Sequence, residues 1–407
     1  MREKIGRTPL CVAIVLFMSL FALFGCAGGG RRADTVHIST AEDLLLINEK
    51  PSANFILDND LDLGGLTYTP VENFSGKFDG QGHTISNIVL STSGNTYGFF
   101  ASTQGAEIKD FALTNFTLRV STVNNDNGIW AGALVGCAKG GYYGDTYITN
   151  CFTQGTIYLE KQSKKMGIGG FVGLSQYANY SNCLSDVRIL NVIENETNYS
   201  LYLGGLVGEC DANSEEFDHC VFTGIIDSAY VPDGLVQPSR ILSKVYAGGI
   251  VGYVNGRSAP EFTECVSAPV KIEASLSAFT SASNCKIGGI IGYSEGYPKV
   301  NSCYYSSFNE SVLKSDDIYS CYYSKLTNSY GTNVWQFESQ DPSRQPTRAD
   351  LLERDFLTGE YTFLNEFEEQ VKVNLHFDAE RWYLSDGWST FGLKPYDNQV
   401  YYHYAKS

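Results

Sequence analysis

Three closely spaced aspartates are the first side chains in this sequence that could do chemistry. Asp58, Asp60 and Asp62 alternate along the chain, and alternating residues of a β-strand lie on one of its faces. Carboxylates in such a row could bind Ca²⁺, or they could act as acid and base in polysaccharide cleavage. His83, which follows Asp79 and Gly80, could be a base, but its setting is more typical of a turn and core residue. We favour a structural role for all four residues, so no catalytic residue is predicted.

Metal and cofactor sites have little support in the sequence. There is no CxxC pair, and the five histidines at 37, 83, 219, 376 and 403 are scattered singly, whereas zinc sites usually combine closely spaced Cys and His ligands. No HExxH motif of metalloproteases occurs either. A GGxxG motif could suggest a nucleotide loop, but it recurs five times in strand-like context, and a phosphate loop is used once and opens a helix. No cofactor and no metal are therefore expected.

Cys26 ends a segment unlike the rest of the chain. Arg2, Lys4 and Arg7 precede the apolar run Leu10–Phe24, and Leu23-Phe24-Gly25-Cys26 closes it. The pattern resembles the lipobox of bacterial lipoprotein signal peptides, which implies cleavage before Cys26 and acylation of its thiol. A plain transmembrane anchor is the alternative, but the 15 residues of the apolar run fall short of the ~20 that span a bilayer. We expect a signal peptide at 1–25, a lipidated tether at 26–34 and an extracytoplasmic, lipid-anchored body in the bacterial envelope, on the cell membrane or the outer membrane.

Nine of the 11 cysteines remain when Cys11 and Cys26 are set aside, an odd number that cannot all pair within one chain. Five of them recur at similar places in successive repeats. Stacked cysteines in adjacent coils would lie close enough to bridge, but their side chains would point in parallel and not at each other. We therefore expect a column of buried thiols in preference to disulfides between coils. The five residues are Cys151, Cys183, Cys220, Cys265 and Cys303.

Tyrosines recur between the predicted first and second strands of successive repeats, among Gly, Asn and Ser. Rigid aromatic rings with small polar neighbours suit the binding of sugars or proteins at low entropic cost. The alternative is that these rings only cover the corners of the coils. The candidate binding residues are Tyr142, Tyr143, Tyr177, Tyr180, Tyr253, Tyr293 and Tyr297.

The element that must position these residues is a repeat of about 40 residues. One pentapeptide recurs at starts between 35 and 44 residues apart, a Cys-containing strand-like run follows it, and a third strand-like run comes next. Three strands per repeat without a crossover helix predict one coil per repeat, stacked on its neighbour. The predicted fold is all-β, a right-handed parallel β-helix, with one of pentapeptide positions three and four packed inside. The pentapeptides are GALVG at 132–136, GGFVG at 169–173, GGLVG at 204–208, GGIVG at 248–252 and GGIIG at 288–292.

The pentapeptides and the Asn-Cys pairs that follow them resemble the GLUG motif of bacterial surface proteins. Upstream segments beginning at Ile38, Phe55 and Phe74 look like the cap and first coils that usually precede such repeats, and the aspartate row matches the Asn-Asp-Leu-Asp-Leu run found there. The resemblance covers about residues 36–325. It implies a β-helical scaffold of the kind found in adhesins and in non-catalytic regions of some immunoglobulin A proteases, and it implies no activity, because one scaffold hosts many functions.

The ends of an open β-helix need caps, because they expose unpaired strand edges. Thr40 and Asp43 could form a capping-box-like pair at the start of a short helix. We place the N-terminal cap at 35–73, the repeats at 74–325 and a C-terminal cap of mixed α/β character at 326–407, with a helix start at Thr347–Leu352. Variable linkers follow the third strand of each repeat and should emerge along one edge, where binding loops are an alternative site.

The net charge of the chain argues against one class of function, nucleic-acid binding. The chain has 29 basic and 45 acidic residues, net −16, with a pI near 4.8, so no basic surplus exists to bind a nucleic acid. We expect a non-catalytic cell-surface lipoprotein, held to the membrane by its N-terminal lipid, with adhesin-like binding of an extracellular polysaccharide or a host or matrix protein. The alternative is a carbohydrate-active enzyme, a polysaccharide lyase or glycosidase, with a site that the sequence does not identify.

Overall fold

The structure is a computed structural model that describes residues 35–305 with gaps at 124–126, 141–143, 162, 194–195, 212–213, 229, 231–239, 257, 264, 268, 270, 274–284 and 302. Beyond 305 it describes only the strands named below. Cys26 and the predicted signal peptide and tether lie outside the described residues. No described helix has the length and apolarity needed to cross a membrane.

Parallel strands of successive coils stack into three long sheets, which we call sheets A, B and C. Each central coil passes through sheet C, then sheet A, then sheet B, and then begins the next coil. The architecture is a parallel β-helix, so the fold class predicted from the repeats is confirmed. Its physical basis is that a repeat cannot bury its own apolar face and does so only against its neighbours.

Sheet A consists of short strands, one from each coil. Buried and outward residues alternate along them, as in Thr146–Thr149, where Ile148 is buried and Tyr147 is exposed. The nine described strands of sheet A are, in spatial order, Thr35–Ile38, Asn54–Leu57, Lys77–Asp79, Glu107–Lys109, Thr146–Thr149, Ala178–Ser181, Glu216–Asp218, Glu261–Thr263 and Lys299–Asn301.

A left-handed residue turns the chain from sheet A to sheet B. Asn150, Asn182 and His219 have φ of 50°, 51° and 52°, a conformation that Asn adopts more readily than most residues. The cysteine comes next, so it lies at this corner and not inside a strand as predicted, Cys303 excepted. The described strands of sheet B are Leu61–Asp62, Thr67–Tyr68, Thr84–Ser86, Val89–Leu90, Ala112–Val120, Phe152–Leu159, Leu184–Asn191, Val221–Phe222, Ile225–Asp227, Val266–Ser267, Lys271–Glu273, Cys303–Tyr305 and Val334–Gln336.

The pentapeptide bends the chain within sheet C. Strand segments lie on both sides of it, so the central coils have four or five segments where three strands were predicted. Cys285–Ser294 runs through the bend as one strand. Both middle residues of the motif are buried, for example Leu206 and Val207 at 0% exposure, where only one was expected inside. The described strands of sheet C are Thr92–Ser93, Thr96–Tyr97, Phe100–Ser102, Ile129–Gly132, Val135–Lys139, Lys165–Gly169, Val172–Gln176, Glu196–Gly204, Val207–Cys210, Arg240–Gly248, Val251–Val254, Cys285–Ser294 and Ile318–Tyr323.

The linkers after the third strand are therefore shorter than predicted. Each one ends in residues of a sheet C strand, as in Glu196–Gly204, which pairs with Arg240–Gly248. Strand pairing with the neighbouring coil satisfies the backbone of these residues.

At the N-terminal end, a 3-10 turn at Glu42–Leu44 leads into a short α-helix at Leu45–Glu49. Asp43 Oδ2 accepts the backbone N–H of Thr40 at 2.9 Å and that of Ser39 at 3.0 Å. The acidic half of the predicted capping pair is therefore present, while Ala41 is the N-cap residue and makes no side-chain cap bond.

The predicted C-terminal region contains three antiparallel strand pairs among its described residues. The helix start predicted at Thr347–Leu352 lies outside the described residues, so the mixed character of this region stays a prediction. The pairs are Gly359–Leu364 with Gln370–Leu375, Phe377–Asp378 with His403–Tyr404, and Trp382–Tyr383 with Thr390–Phe391.

The five repeat cysteines are buried free thiols, as predicted. The four at the corner each donate a hydrogen bond to the end of sheet A: the Cys151 thiol donates to the Thr149 carbonyl at 3.3 Å, for example, and the Cys183 thiol to the Ser181 carbonyl at 3.4 Å. Burial raises the pKa of the Cys151 thiol well above its ordinary value. A small apolar side chain with a weak donor fits this position.

Candidate functional site

The outer face of sheet A carries a shallow depression of about 450 Å³, which we call the sheet A groove. One column of outward residues runs along it, one residue per coil. Strand register aligns Tyr147 with Asn179, Glu216 with Glu261, and Glu261 with Lys299, and the pairing of Tyr180 with Phe217 places Asn179 beside Glu216. The column therefore reads aromatic ring, amide, two carboxylates and amine along the axis of the coil.

Tyr147 is the aromatic group of the groove. Its side chain is 49% exposed, although it lies in a strand that pairs with a neighbour on each side. A large ring exposed on a rigid backbone can contact a ligand with little loss of conformational entropy.

The two carboxylates differ in their partners. Glu261 Oε2 accepts a hydrogen bond from Lys299 Nζ at 3.3 Å, and both side chains are about half exposed, at 43% and 56%. Glu216 is exposed, and no Lys, Arg or His side chain of the described part of the chain forms a salt bridge with its carboxylate. Its backbone N–H donates to Asn179 Oδ1 at 3.0 Å, which orients the neighbouring amide.

A second outward column lies beside the first and supplies hydroxyl groups. Register aligns Thr149, Ser181, Asp218 and Thr263, and all four line the groove. The Ser181 hydroxyl donates to Thr149 Oγ1 at 3.4 Å, and Asp218 Oδ1 lies 2.7 Å from His219 Nδ1. Groups that both donate and accept hydrogen bonds, next to an exposed ring, suit a ligand rich in hydroxyls.

Tyr180 is a core residue, so its predicted place on an exposed contact face is wrong. Its side chain is 1% exposed, its ring stacks on Phe217 with centroids 4.7 Å apart, and its hydroxyl donates to Ser175 at 2.8 Å. The reason is the two-residue period of a strand, which turns Asn179 and Ser181 outward and Tyr180 inward.

Tyr253 and Tyr293 belong to a separate aromatic cluster on the outer face of sheet C, with Tyr202 and Tyr246, which the sequence prediction missed. The pentapeptide bend brings rings from its two sides together, and the Tyr202 and Tyr253 centroids are 4.5 Å apart. Tyr253 is only 8% exposed, so mutual packing hides the ring surface that a ligand would need.

An ion pair lies at one end of this cluster. Lys165 Nζ is 2.6 Å from Glu209 Oε1 and 5.6 Å from the Tyr202 ring centroid. Glu209 is fully buried, and burial raises the pKa of its carboxyl against the opposing effect of Lys165. We interpret this cluster as a seal over the bend in sheet C, because its rings pack on one another and its ammonium group pairs with Glu209.

Among the predicted tyrosines that the structure describes, Tyr177 and Tyr297 are the most exposed, at 46% and 54%. Both lie at the corner between sheets C and A, which matches the alternative in which tyrosines cover corners. Tyr142 and Tyr143 lie outside the described residues, so no position can be assigned to them. The structure therefore does not bring the seven predicted tyrosines onto one face.

Hydrogen bonds within the scaffold account for the aspartate row. Asp58 lies 2.8 Å from His37 Nδ1 and accepts the Ser39 hydroxyl at 2.9 Å, and the His37 contact is the main cause that lowers its pKa. Asp60 Oδ1 accepts the Thr84 N–H at 3.0 Å. Asp62 accepts a hydrogen bond from Asn87 Nδ2 at 2.8 Å, which lowers its pKa. Only Asp62 is in a strand, so the expected shared strand face does not form, and each carboxylate instead connects adjacent coils.

His83 is half-buried and lies beside this row, with its Nδ1 3.2 Å from Asp60 Oδ1. Its side chain is 34% exposed, so it is less buried than the predicted core position. Within the described part of the chain, no group of three or more His, Cys, Asp or Glu side chains is arranged to hold a metal ion.

The groove residues Tyr147, Glu216 and Glu261 were missed by sequence reasoning. A signal for them was available: in the runs that precede Cys151, Cys220 and Cys265, the residue four positions before the cysteine is Tyr147, Glu216 and Glu261 in turn. Alternation counted back from the corner would have placed them all on the outer face.

The comparisons with known proteins concern the fold. No protein-family model matches the chain, and no curated protein matches it significantly. Among solved structures, the chain is similar to a 1.30 Å crystal structure from Bacteroides ovatus of a protein provisionally assigned as an immunoglobulin A1 protease. The match has a TM-score of 0.50 and 16% identity, and it covers 75% of this chain and 91% of that chain. At this identity the likeness shows a shared fold.

Proposed function

We propose that this protein is a lipid-anchored protein of the bacterial surface that binds an extracellular polysaccharide, without cleaving it, in the sheet A groove. The observation that carries the proposal is the exposed ring of Tyr147 in one column with amide and carboxylate side chains on a rigid face. Sugars combine apolar ring faces with hydroxyl edges, and this face offers a partner for each. The resemblance of the repeats to those of adhesins supports the same class of function, as analogy.

A carbohydrate-active enzyme is the second candidate, and one observation favours it. Three carboxylates, Glu216, Asp218 and Glu261, line the same groove, and glycosidases act through paired carboxylates. We place binding first because Asp218 and Glu261 already have partners in His219 and Lys299. The protease assignment of the structural neighbour is not proposed for this chain, since only the fold is shared.

The test compares two kinds of exposed tyrosine. Full-length protein in detergent is incubated with a panel of neutral, acidic and amine-bearing polysaccharides, with and without Ca²⁺, and retention and polymer length are both measured. We expect retention without shortening. Tyr147→Ala should weaken binding about 3- to 10-fold, since an aromatic contact contributes roughly 0.5–1.5 kcal/mol.

The double variant Tyr177→Ala/Tyr297→Ala is the matched control, because it removes similarly exposed rings at the corner between sheets C and A. It should bind as the wild type does. Loss of binding in the double variant, with none in Tyr147→Ala, would move the site to the corner. Shortening of a polymer, abolished by Glu216→Gln, would replace binding by the enzymatic candidate.

A further inference from the structure

We infer that the sheet A groove is selective for glycans that carry free amino groups, and that it rejects polymers of acidic sugars. This inference rests on the proposed function and adds the chemical class of the ligand to it. It comes from the charges of the groove and from their spacing along the coil.

The groove has an excess of negative charge. Glu216, Asp218 and Glu261 line it. Lys299 is the register partner of Glu261, and Lys109, the register partner of Thr149, is already paired with Asp79 and Asp110. Asp145 lies at the edge of the groove, where its Oδ2 accepts a hydrogen bond from Asn179 Nδ2 at 3.3 Å. A polymer of uronate or sulfate groups would place like charges against these carboxylates, which is unfavourable and adds to the repulsion from a chain of net charge −16.

The contact between Lys299 and Glu261 shows which kind of ligand group the column can bind. Its ammonium group lies on the Glu261 carboxylate at 3.3 Å, so an ammonium fits this site without rearrangement of the strand. The pair is exposed on both sides, and such surface pairs contribute little to stability. An ammonium group of the ligand can therefore replace that of Lys299 at a small cost in free energy. It can also bind the carboxylate of Glu216, which has no salt-bridge partner among the described residues.

The spacing favours a polymer that lies along the coil axis. Glu216 and Glu261 are register partners in adjacent strands, so their backbones are about 4.8 Å apart. Successive amino sugars of an extended chain can thus meet successive carboxylates, while hydroxyls of Thr149, Ser181 and Thr263 line the parallel column. Repeated weak contacts along one chain give avidity that a single sugar lacks.

A basic peptide would satisfy the same charges, but the sheet gives it no backbone partner. A peptide strand gains affinity by pairing with an exposed sheet edge, and the strands of the groove are interior members of sheet A, paired on both sides. Tyr147 also offers a flat apolar contact for a sugar ring. The observations therefore favour the glycan over the peptide.

The experiment measures the affinity of full-length protein in detergent for four hexamers of defined charge. The probes are glucosamine hexamer, its fully N-acetylated form, an oligouronate hexamer and hexalysine. We expect the glucosamine hexamer to bind at least 10-fold more tightly than the N-acetylated form, with an affinity that falls as salt rises, and the oligouronate not to bind.

Glu216→Gln/Glu261→Gln should reduce the affinity for the glucosamine hexamer about 10-fold and that for the N-acetylated hexamer by much less. Glu42→Gln/Glu49→Gln, at the exposed N-terminal helix, removes the same net charge elsewhere and should change neither. This control separates local contacts from the field of the whole chain.

Each outcome is decisive. Equal binding of the two amino-sugar hexamers, or binding of the oligouronate, would overturn the charge selectivity and leave the proposed polysaccharide binding standing. Binding of no saccharide at all would overturn the proposed function itself. Hexalysine could also bind more tightly than the glucosamine hexamer. If that binding depends on Glu216 and Glu261 but not on Tyr147, the inference is overturned in favour of a basic protein partner.

Discussion

At the scale of single residues, Glu215 is the side chain whose ionisation should matter most for stability. It directly precedes the groove residue Glu216, but it points into the core and is 1% exposed. Neither carboxyl oxygen makes a hydrogen bond of good geometry within the described structure, although Ser175 and Cys210 lie close enough to oppose the shift. Burial raises the pKa of this carboxyl to about 8, because the charged form is poorly solvated there.

This shift predicts that Glu215 makes the protein less stable as the pH rises. The unfolded carboxyl releases its proton near pH 4.5 and the folded one near pH 8, so between these values the folded state holds a proton that the unfolded state has lost. The contribution is fully present below pH 4.5 and is lost as the pH rises to about 8, by up to about 1.4 kcal/mol per pH unit.

Glu215→Gln should remove this dependence. Urea unfolding at pH 5, 7 and 9 is the measurement, and the variant should gain stability relative to the wild type as the pH rises. Ser175→Ala serves as a comparison that keeps the carboxyl: removing a group that lowers the pKa should extend the dependence to higher pH. Parallel pH profiles for wild type and Glu215→Gln would contradict the assignment.

At the scale of elements, the pentapeptide bend in sheet C depends on close backbone contact between coils. A Cβ atom on Gly205 would lie 2.0 Å from the Gly249 carbonyl oxygen and 2.3 Å from the Phe222 ring. No side chain fits there unless the backbone or the Phe222 ring moves. The second glycine of the motif is thus a packing requirement, distinct from any phosphate-binding role.

Gly205→Ala should therefore destabilise the protein by about 2 kcal/mol or more, as overpacking of a core does, and lower the thermal midpoint. Gly256→Ala is the matched control, since its Cβ would meet nothing closer than 3.6 Å. It should melt within a degree or two of the wild type. Equal melting of the two variants would show that the bend has more room than the structure indicates.

At the scale of the whole molecule, the coils form a stack in which most contacts of a coil are with its neighbours. Gly204 and Gly248 are register partners, so removal of Gly204–Ala247 joins Leu203 to the residue that replaces Gly204 in the next coil. Approximate additivity of repeat and interface energies then predicts that the shortened chain still folds.

The deletion of Gly204–Ala247 should retain a β-rich circular dichroism spectrum and a cooperative melt. Deletion of 204–225, which ends within the coil, should lose the cooperative transition because it joins sheet C to sheet B. Similar collapse of both deletions would argue against independent coils.

The lipid anchor is also a property of the whole molecule, because it sets where the groove is displayed. Cys26→Ala should leave an uncleaved precursor that takes up no labelled fatty acid, since the thiol is the proposed site of acylation. The expected result is a body of unchanged stability that carries no lipid. Equal labelling of wild type and variant would refute the lipoprotein proposal.

The sequence by itself determined the repeat and most of the structural consequences of that repeat. Five pentapeptides and five cysteines at matching offsets specify a stack of β-coils, because like residues must occupy like environments in a solenoid. They also predicted the column of free thiols. Signal-peptide cleavage and acylation at Cys26 were inferred from the local sequence pattern alone, and they stay a prediction.

Only the tertiary structure decided which side chains share a surface. Tyr180 enters the core and Tyr147 leaves it because a one-residue change of position in a strand reverses the face, and the left-handed corners at Asn150 and Asn182 set that position. The groove joins residues from four coils, among them Tyr147, Glu216 and Glu261, that are far apart in sequence. Their proximity arises from the register between coils, and hydrogen bonds between the strands fix this register. The sequence does not show it directly, because the linkers between the strands differ in length.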